Sequence, residues 1–157
     1  MSDAAEHGLV QLRRAQPGDA GLLADIHCRA RAAAMPWLPV LHTREETDDW
    51  MANMVLPQQD VWLAARDGTL VGFVALAPGW VEQVYVDPVA WRGGVGSALL
   101  DLARQRLPDG FRLWTFQRNA MARNFYRKHG LVELRLTDGH DNEEKQPDVL
   151  LGWKLTS

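Results

Sequence analysis

The chain has 157 residues, of which 46% are hydrophobic and 24% are charged, a balance typical of a soluble globular domain with a buried core. Its net charge of −3 argues against a nucleic-acid-binding protein, and no apolar run is long enough to span a membrane. Cys28 is the only cysteine, which excludes an intrachain disulfide, and the N-terminus has no signal-peptide pattern, so we expect a cytoplasmic protein.

In chain order, the sequence predicts seven strands and four helices in one domain over residues 1–157. A strand near residues 9–15 precedes a helix that begins around Pro17, and Thr43 with Glu46 forms a capping box for a second helix. The later predicted elements are a hairpin turning at Asp67-Gly68, strands near 80–86 and 111–116, helices near 94–107 and after Asn119, and two strands after residue 130. Hairpins mixed with strand–helix–strand units indicate an α/β fold in which helices cover a mixed sheet.

Three glycines, at positions 93, 94 and 96, stand where the strand VEQVYV gives way to an apolar helix. The first N–H groups of a helix are unpaired and carry a partial positive charge, and glycine lets a ligand approach them closely. The stretch therefore predicts an anion site, for which a pyrophosphate is the best ligand. The alternative is a tight turn that needs positive φ angles and binds nothing.

Two common phosphate-binding patterns do not fit this stretch. A P-loop requires Gly-Lys followed by Ser or Thr, which the sequence lacks, and a dinucleotide fingerprint requires a third glycine where Leu99 stands. A third pattern fits, in which a strand ending near a proline leads into Gly-x-Gly and an apolar helix. Pro88, Gly94 and Gly96 have that spacing.

Two motifs resemble the GNAT family of N-acetyltransferases. The stretch VYVDPVAWRGGVGSALL is similar to the family's acetyl-CoA pyrophosphate loop, and NAMARNFYRKHGL is similar to its second cofactor segment. The resemblance implies a mostly antiparallel, seven-stranded mixed sheet flanked by about four helices, with acetyl-CoA as cosubstrate. The cofactor-binding residues that it implies are Val84, Tyr85, Val86, Trp91, Arg92, Gly93, Gly94, Val95, Gly96, Ser97, Asn119 and Tyr126.

One position departs from the family's pattern. Trp91 stands where the loop usually has Gln or Arg, and Arg92 follows one residue later. Arg92 is therefore either a phosphate contact or a solvated loop cation. Ser97 is either a phosphate donor or an ordinary first-turn serine.

Acetyl transfer to an amine requires a base, an oxyanion donor and an acid for the departing thiolate. The resemblance implies Tyr126 as the acid and the backbone of Val84–Val86 as the oxyanion donor. Strand alternation places Glu82 on the face of Val84 and Val86, which predicts it as the base, with a salt bridge or a water-facing strand end as the alternative. Since no activated Cys or Ser is evident, we expect direct transfer in a ternary complex.

The acceptor side is less constrained by the sequence. The loop TDGHDNEEKQPDV is either a solvated hairpin loop or a segment that attracts an ammonium group, and Asn142, Glu143, Trp37 and His42 are the candidate acceptor residues. The acidic and histidine spacings match neither an EF-hand nor a zinc site, so no metal is expected.

We expect a small-molecule or peptide amine as acceptor and no nucleic-acid or membrane partner. Homodimers are common in the family that the sequence resembles, so a monomer and a homodimer are both open alternatives. The rival interpretation is a non-catalytic acyl-CoA-binding sensor or partner-binding module. It would keep the glycines and lose the base or the acid, whereas Glu82 and Tyr126 are both present.

Overall fold

A seven-stranded sheet organises the part of the chain that the computed structural model describes, residues 9–155. In chain order the strands are β1 (Val10–Arg14), β2 (Asp60–Arg66), β3 (Thr69–Ala77), β4 (Trp80–Val86), β5 (Phe111–Phe116), β6 (Val132–Thr137) and β7 (Asp148–Trp153). Their order in the sheet is β1-β2-β3-β4-β5-β7-β6. Neighbouring strands are antiparallel except for β4 and β5, which confirms the predicted mixed, mostly antiparallel sheet.

Within residues 9–155, four helices of seven or more residues flank this sheet: α1 (Ala20–Ala34), α2 (Arg44–Trp50), α3 (Val95–Arg106) and α4 (Ala120–Lys128). The predicted capping box starts α2, since Glu46 N–H donates to Thr43 Oγ1 at 3.1 Å and Thr43 N–H donates to Glu46 Oε1 at 2.8 Å. After α2 the chain widens into a π-helical turn over Met51–Val55, which sequence periodicity did not predict. No helix within residues 9–155 is long and apolar enough to cross a membrane.

Each face of the sheet carries its own apolar core. On one face, Leu23 and Met51 from the α1 and α2 region pack with Phe73 of β3. On the other, Leu99 of α3 packs with Val74 of β3 and with residues of β5 and β7. The central strand β3 is buried on both sides, as its apolar sequence predicts.

Gly72 allows α3 to lie close to this central strand. A Cβ at this position would lie 3.0 Å from Tyr85 O, 3.1 Å from Val95 Cγ1 and 3.2 Å from Leu99 Cδ1. The absence of a side chain at Gly72 therefore allows the first turns of α3 to lie close to the sheet. The glycine-rich loop, which leads into α3, is positioned with them.

The parallel pair β4 and β5 separates almost as soon as it forms. Within residues 9–155 the two strands pair at a single position, Trp80 with Arg112. Beyond it β4 stays paired with β3 while β5 stays paired with β7, so a gap opens in the middle of the sheet. The edge of β4 that faces the gap presents backbone groups to whatever enters it.

Candidate active site

A cavity of about 980 Å³ occupies the gap between β4 and β5. The start of α3 and the helix α4, which meet at Ser97 and His129, form one part of its wall, and α1 and the β6–β7 loop, which meet at Arg31 and Glu144, form another. The wall includes, among others, Arg31, Glu82, Val84, Tyr85, Val86, Trp91, Arg92, Gly94, Gly96, Ser97, Asn119, Tyr126, Lys128, His129, Asp141, Asn142, Glu144 and Asp148. Most of the residues predicted to hold the cofactor, together with the predicted acid and base, therefore share one cavity.

Glu82 lies at a bulge in β4. The register with β3 pairs Leu76 with Val81 and Ala75 with Gln83, which leaves Glu82 without a counterpart. Its side chain is exposed and lines the cavity. The alternation of side chains along β4 is thus interrupted at Glu82. The bulge places the Glu82 carboxylate in water, so it does not carry the energetic cost of a charge buried on an apolar strand.

The start of α3 has the geometry of an anion site. Gly94 is the N-cap residue at φ +82°, and no side chain caps the helix. The first-turn N–H groups of Val95, Gly96 and Ser97 have no acceptor within the helix, because an N–H group bonds to the carbonyl four residues earlier and that residue precedes the helix. Gly94, Gly96 and Ser97 line the cavity, and Arg92 lines it in a left-handed conformation at φ +67°.

Two side-chain hydrogen bonds hold the loop before α3 in place. Trp91 Nε1 donates to the carbonyl oxygen of Val86 at 2.9 Å, which ties the loop to the end of β4. Arg66 donates through Nη2 to the carbonyl oxygen of Gly93. Gly93 and the buried Val95 lie outside the cavity wall, so their visible roles in the loop are structural.

Tyr126 reaches the cavity from α4 and is only 8% exposed. Burial, with a smaller contribution from nearby Tyr85, raises the pKa of its hydroxyl well above the usual range. The phenol therefore keeps its proton at any physiological pH. Asn119 begins α4, accepting a hydrogen bond from Ala122 N–H through Oδ1 at 3.2 Å, and it also lines the cavity.

Arg31 is a cavity residue that the sequence reading missed. It donates through Nη1 to Tyr85 Oη at 3.1 Å and through Nη2 to Glu144 Oε2 at 3.0 Å, joining α1, β4 and the β6–β7 loop. Its position four residues after His27 and eight after the buried Leu23 puts a cation on the inner face of α1. That spacing is the signal by which it could have been found.

The four predicted acceptor residues fall into two groups. Asn142 lines the cavity, and its Nδ2 donates to Asp148 Oδ2 at 3.0 Å and to Gln146 O at 2.7 Å, which fixes the shape of the β6–β7 loop. Trp37, His42 and Glu143 lie outside the cavity wall.

These three outer residues contact other groups instead. His42 pairs with Glu143 at 2.5 Å, and Trp37 packs edge-on against Phe116 and beneath Arg118. They tie the segment between α1 and α2 to its surroundings.

Comparison with known proteins agrees with this geometry. A model of the acetyltransferase (GNAT) family matches residues 28–131. The chain belongs to the GNAT acetyltransferase family.

Several GNAT relatives are recognisable individually. The peptidyl-lysine N-acetyltransferase YiaC of Escherichia coli is 33% identical over 97 residues, which are 60% of this chain and 63% of YiaC. The peptidyl-lysine N-acetyltransferase YjaB of the same organism is 27% identical over 123 residues, 78% of this chain and 82% of YjaB. The solution structure of apo-form YjaB has a TM-score of 0.77 at 25% identity, covering 92% of this chain and 97% of that one.

The cosubstrate of GNAT proteins is acetyl-CoA, and one solved neighbour holds coenzyme A. The PaiA N-acetyltransferase of Thermoplasma acidophilum, solved in complex with coenzyme A, has a TM-score of 0.69 at 17% identity over 93% of this chain and 99% of that one, a likeness of fold. The cavity here fits such a ligand on its own evidence: its wall includes the uncapped start of α3 at Gly94, Gly96 and Ser97, and the edge of β4 that has separated from β5.

Proposed function

We propose that this chain is a single-domain N-acetyltransferase that moves an acetyl group from acetyl-CoA to a primary amine by direct transfer in a ternary complex. The observation that carries the proposal is the gap between β4 and β5, which brings an anion-binding helix start, a protonated buried tyrosine and an exposed carboxylate into one cavity. Family membership supports the same reaction.

The cofactor end of the cavity accounts for binding. Acetyl-CoA supplies the acetyl group as a thioester and carries a pyrophosphate. The N–H groups of Gly96 and Ser97, at the positive end of α3, would donate to that pyrophosphate, and the nearby cations Arg92 and Lys128 would add attraction. The free edge of β4 would donate backbone hydrogen bonds to the pantetheine arm, with Asn119 as a side-chain partner.

The centre of the cavity accounts for the chemistry. An alkylammonium has a pKa of about 10, so the acceptor must lose a proton before it attacks. The Glu82 carboxylate accepts that proton, directly or through water, and the Val84–Val86 backbone donates to the carbonyl oxygen on which negative charge develops. As the carbon–sulfur bond breaks, the Tyr126 hydroxyl gives its proton to the sulfur, and it regains a proton from the acceptor nitrogen, which must lose its second proton as the amide forms.

The acceptor that fits best is a lysine side chain of a peptide. The carboxylates of Asp141, Glu144 and Asp148 line the cavity, and since Glu144 is paired with Arg31, Asp141 and Asp148 would supply the attraction for an ammonium group. The relatives YiaC and YjaB are named peptidyl-lysine N-acetyltransferases. A small free amine is the second candidate.

The test is release of coenzyme A thiol from acetyl-CoA with three acceptors: a lysine peptide with a blocked N-terminus, spermidine, and free amino acids. We expect release with the lysine peptide, and Glu82→Gln should lower kcat by about a hundredfold. Glu45→Gln, an exposed position on α2, is the matched control. Tight acetyl-CoA binding without thiol release would instead identify the non-catalytic binding module.

A further inference from the structure

His129 lies beside the start of α3, although it follows α4 in the chain. Its ring stacks on Phe125 with centroids 4.3 Å apart, and it lines the cavity. Nε2 lies 2.9 Å from Ser97 Oγ, and Nδ1 lies 2.9 Å from the carbonyl oxygen of Phe125. Both ring nitrogens are therefore engaged, one of them by a residue of the predicted pyrophosphate site.

These two contacts determine which nitrogen carries the proton. A carbonyl oxygen can only accept, so Nδ1 must be the nitrogen that bears hydrogen whenever the imidazole of His129 is neutral. Nε2 is then an acceptor, and the Ser97 hydroxyl donates to it. In this state the single hydrogen of the hydroxyl is used, and Ser97 can offer only lone pairs to a phosphate.

Protonation of His129 reverses this hydrogen bond. Nε2 then carries a hydrogen and donates to Ser97 Oγ, which frees the hydroxyl hydrogen to turn toward the cavity. It also places a full positive charge next to the start of α3. Both changes favour an anion at that place.

The charged groups near His129 are mostly cations. The charged groups on the elements packed around it are Arg104 and Asp101 of α3, Arg127 and Lys128 of α4, and Arg92 of the loop before α3. Asp101 is paired with Arg104 at 2.7 Å. A bound pyrophosphate would bring negative charge to the start of α3, which His129 contacts through Ser97, and would favour the protonated imidazole there.

We propose that His129 is a positioning residue for the cofactor, which takes up a proton as the pyrophosphate binds and thereby turns the Ser97 hydroxyl into a phosphate donor. The inference rests on the proposed acetyl-CoA site. It predicts that affinity rises as pH falls, because the complex holds more protons than the free protein and its free ligand together.

The experiment is calorimetric titration with 3′-dephospho-CoA between about pH 5.5 and 7.5, the range in which imidazole titrates. This ligand is chosen because a phosphate monoester itself titrates near pH 6, whereas the pyrophosphate does not. Buffers with different ionisation enthalpies report proton uptake directly. For the wild-type protein we expect net uptake and a Kd on the order of fivefold lower at the acidic end.

Three variants isolate the role of His129. His129→Gln should bind with a Kd that no longer depends on pH and with no proton uptake. Ser97→Ala should keep only the part of the pH dependence of Kd that comes from the positive charge of His129, because it lacks the hydroxyl donor. His140→Gln, at an exposed histidine of the β6–β7 loop, should behave as the wild-type protein. A second measurement, the NMR titration of the His129 ring with and without ligand, does not require any variant to fold.

The outcomes separate the two proposals. Binding by the wild-type protein with a flat pH dependence, or a dependence that survives in His129→Gln, overturns the role of His129 and leaves the acetyl-CoA site intact. A wild-type protein that binds neither acetyl-CoA nor 3′-dephospho-CoA at any pH overturns the proposed function, and the role of His129 with it.

Discussion

Tyr126 shows how burial prepares a residue for one chemical role. The apolar core around α4 raises the pKa of its hydroxyl, while the open side of the ring faces the gap between β4 and β5. A phenol in this environment is a poor base and a permanent proton donor. That fits the departing thiolate, which needs a proton at the moment the carbon–sulfur bond breaks.

Tyr126→Phe therefore should lower kcat on the order of a hundredfold while leaving acetyl-CoA affinity nearly unchanged, since the ring still packs. The wild-type pH profile should show no loss of kcat due to this group up to about pH 10, because the raised pKa keeps the hydroxyl protonated. Steady-state kinetics and a binding titration measure the two effects. Wild-type turnover in the variant would remove Tyr126 from the mechanism.

His27 of α1 makes the stability of the fold depend on pH. Its ring packs edge-on against Tyr85 at 4.9 Å and Trp50 at 5.6 Å. Burial, together with the nearby Arg31 guanidinium, lowers the pKa of His27 from 6.5 to about 4. The unfolded chain takes up a proton at a pH where the folded chain does not, so this contribution to stability is complete above pH 6.5 and is lost as pH falls toward 4.

His27→Phe should remove that part of the pH dependence, because phenylalanine keeps the ring contacts and cannot titrate. Over this window the wild-type protein should lose about 2–3 kcal/mol of unfolding free energy that the variant does not lose. Urea denaturation at a series of pH values measures the difference, and the comparison of slopes is independent of any packing penalty in the variant. Parallel slopes for the two proteins would contradict a neutral buried His27.

At the scale of elements, the first turn of α3 is where a substitution can test the cofactor site. Gly96 lines the cavity, and a Cβ at this position would lie 3.1 Å from the Phe125 ring. Gly96→Val would crowd that ring and displace the first turn of α3 from the predicted pyrophosphate position. We expect acetyl-CoA affinity to fall about tenfold or more, equivalent to at least roughly 1.4 kcal/mol of binding free energy.

A matched control comes from Gly21, in the first turn of α1, where an added Cβ meets nothing within 4 Å. Gly21→Ala should keep wild-type affinity and raise stability slightly, since alanine favours a helix. Thermal unfolding of both variants confirms that each is folded before affinity is compared. Undiminished binding by folded Gly96→Val would show that the loop does not hold the cofactor.

Some features of the helices and strands can be predicted from the local sequence, and others cannot. The glycine-rich loop and the caps at Thr43 and Asn119 carry local signals, because their residue types are demanded by backbone geometry within a few residues. The bulge at Glu82 carries none, since it depends on how β4 pairs with β3. Strand alternation therefore predicted correctly that Glu82 lines the cavity, but the structural reason is the bulge and not the alternation.

At the scale of the whole molecule, local sequence periodicity predicts the order of strands and helices along the chain, but it does not predict the order of strands in the sheet. Nothing in β4 or β5 taken alone indicates that they are neighbours, that they are parallel, or that they separate after Trp80. Residues far apart in sequence meet only because of that topology: Arg31 with Glu144, and Ser97 with His129. Pairs of this kind could not be predicted, whereas the cofactor motifs could be.

The central claim concerns the whole molecule, because the cofactor must bridge the start of α3 and the gap between two strands. The most direct test is an NMR titration of the ¹⁵N-labelled chain with coenzyme A. We expect the amide resonances of Gly94, Gly96, Ser97 and Val84–Val86 to shift together with a common affinity, while those of Gly21 and Gly68 stay in place. Shifts confined to another surface, or none at all, would contradict a cofactor that bridges α3 and the gap.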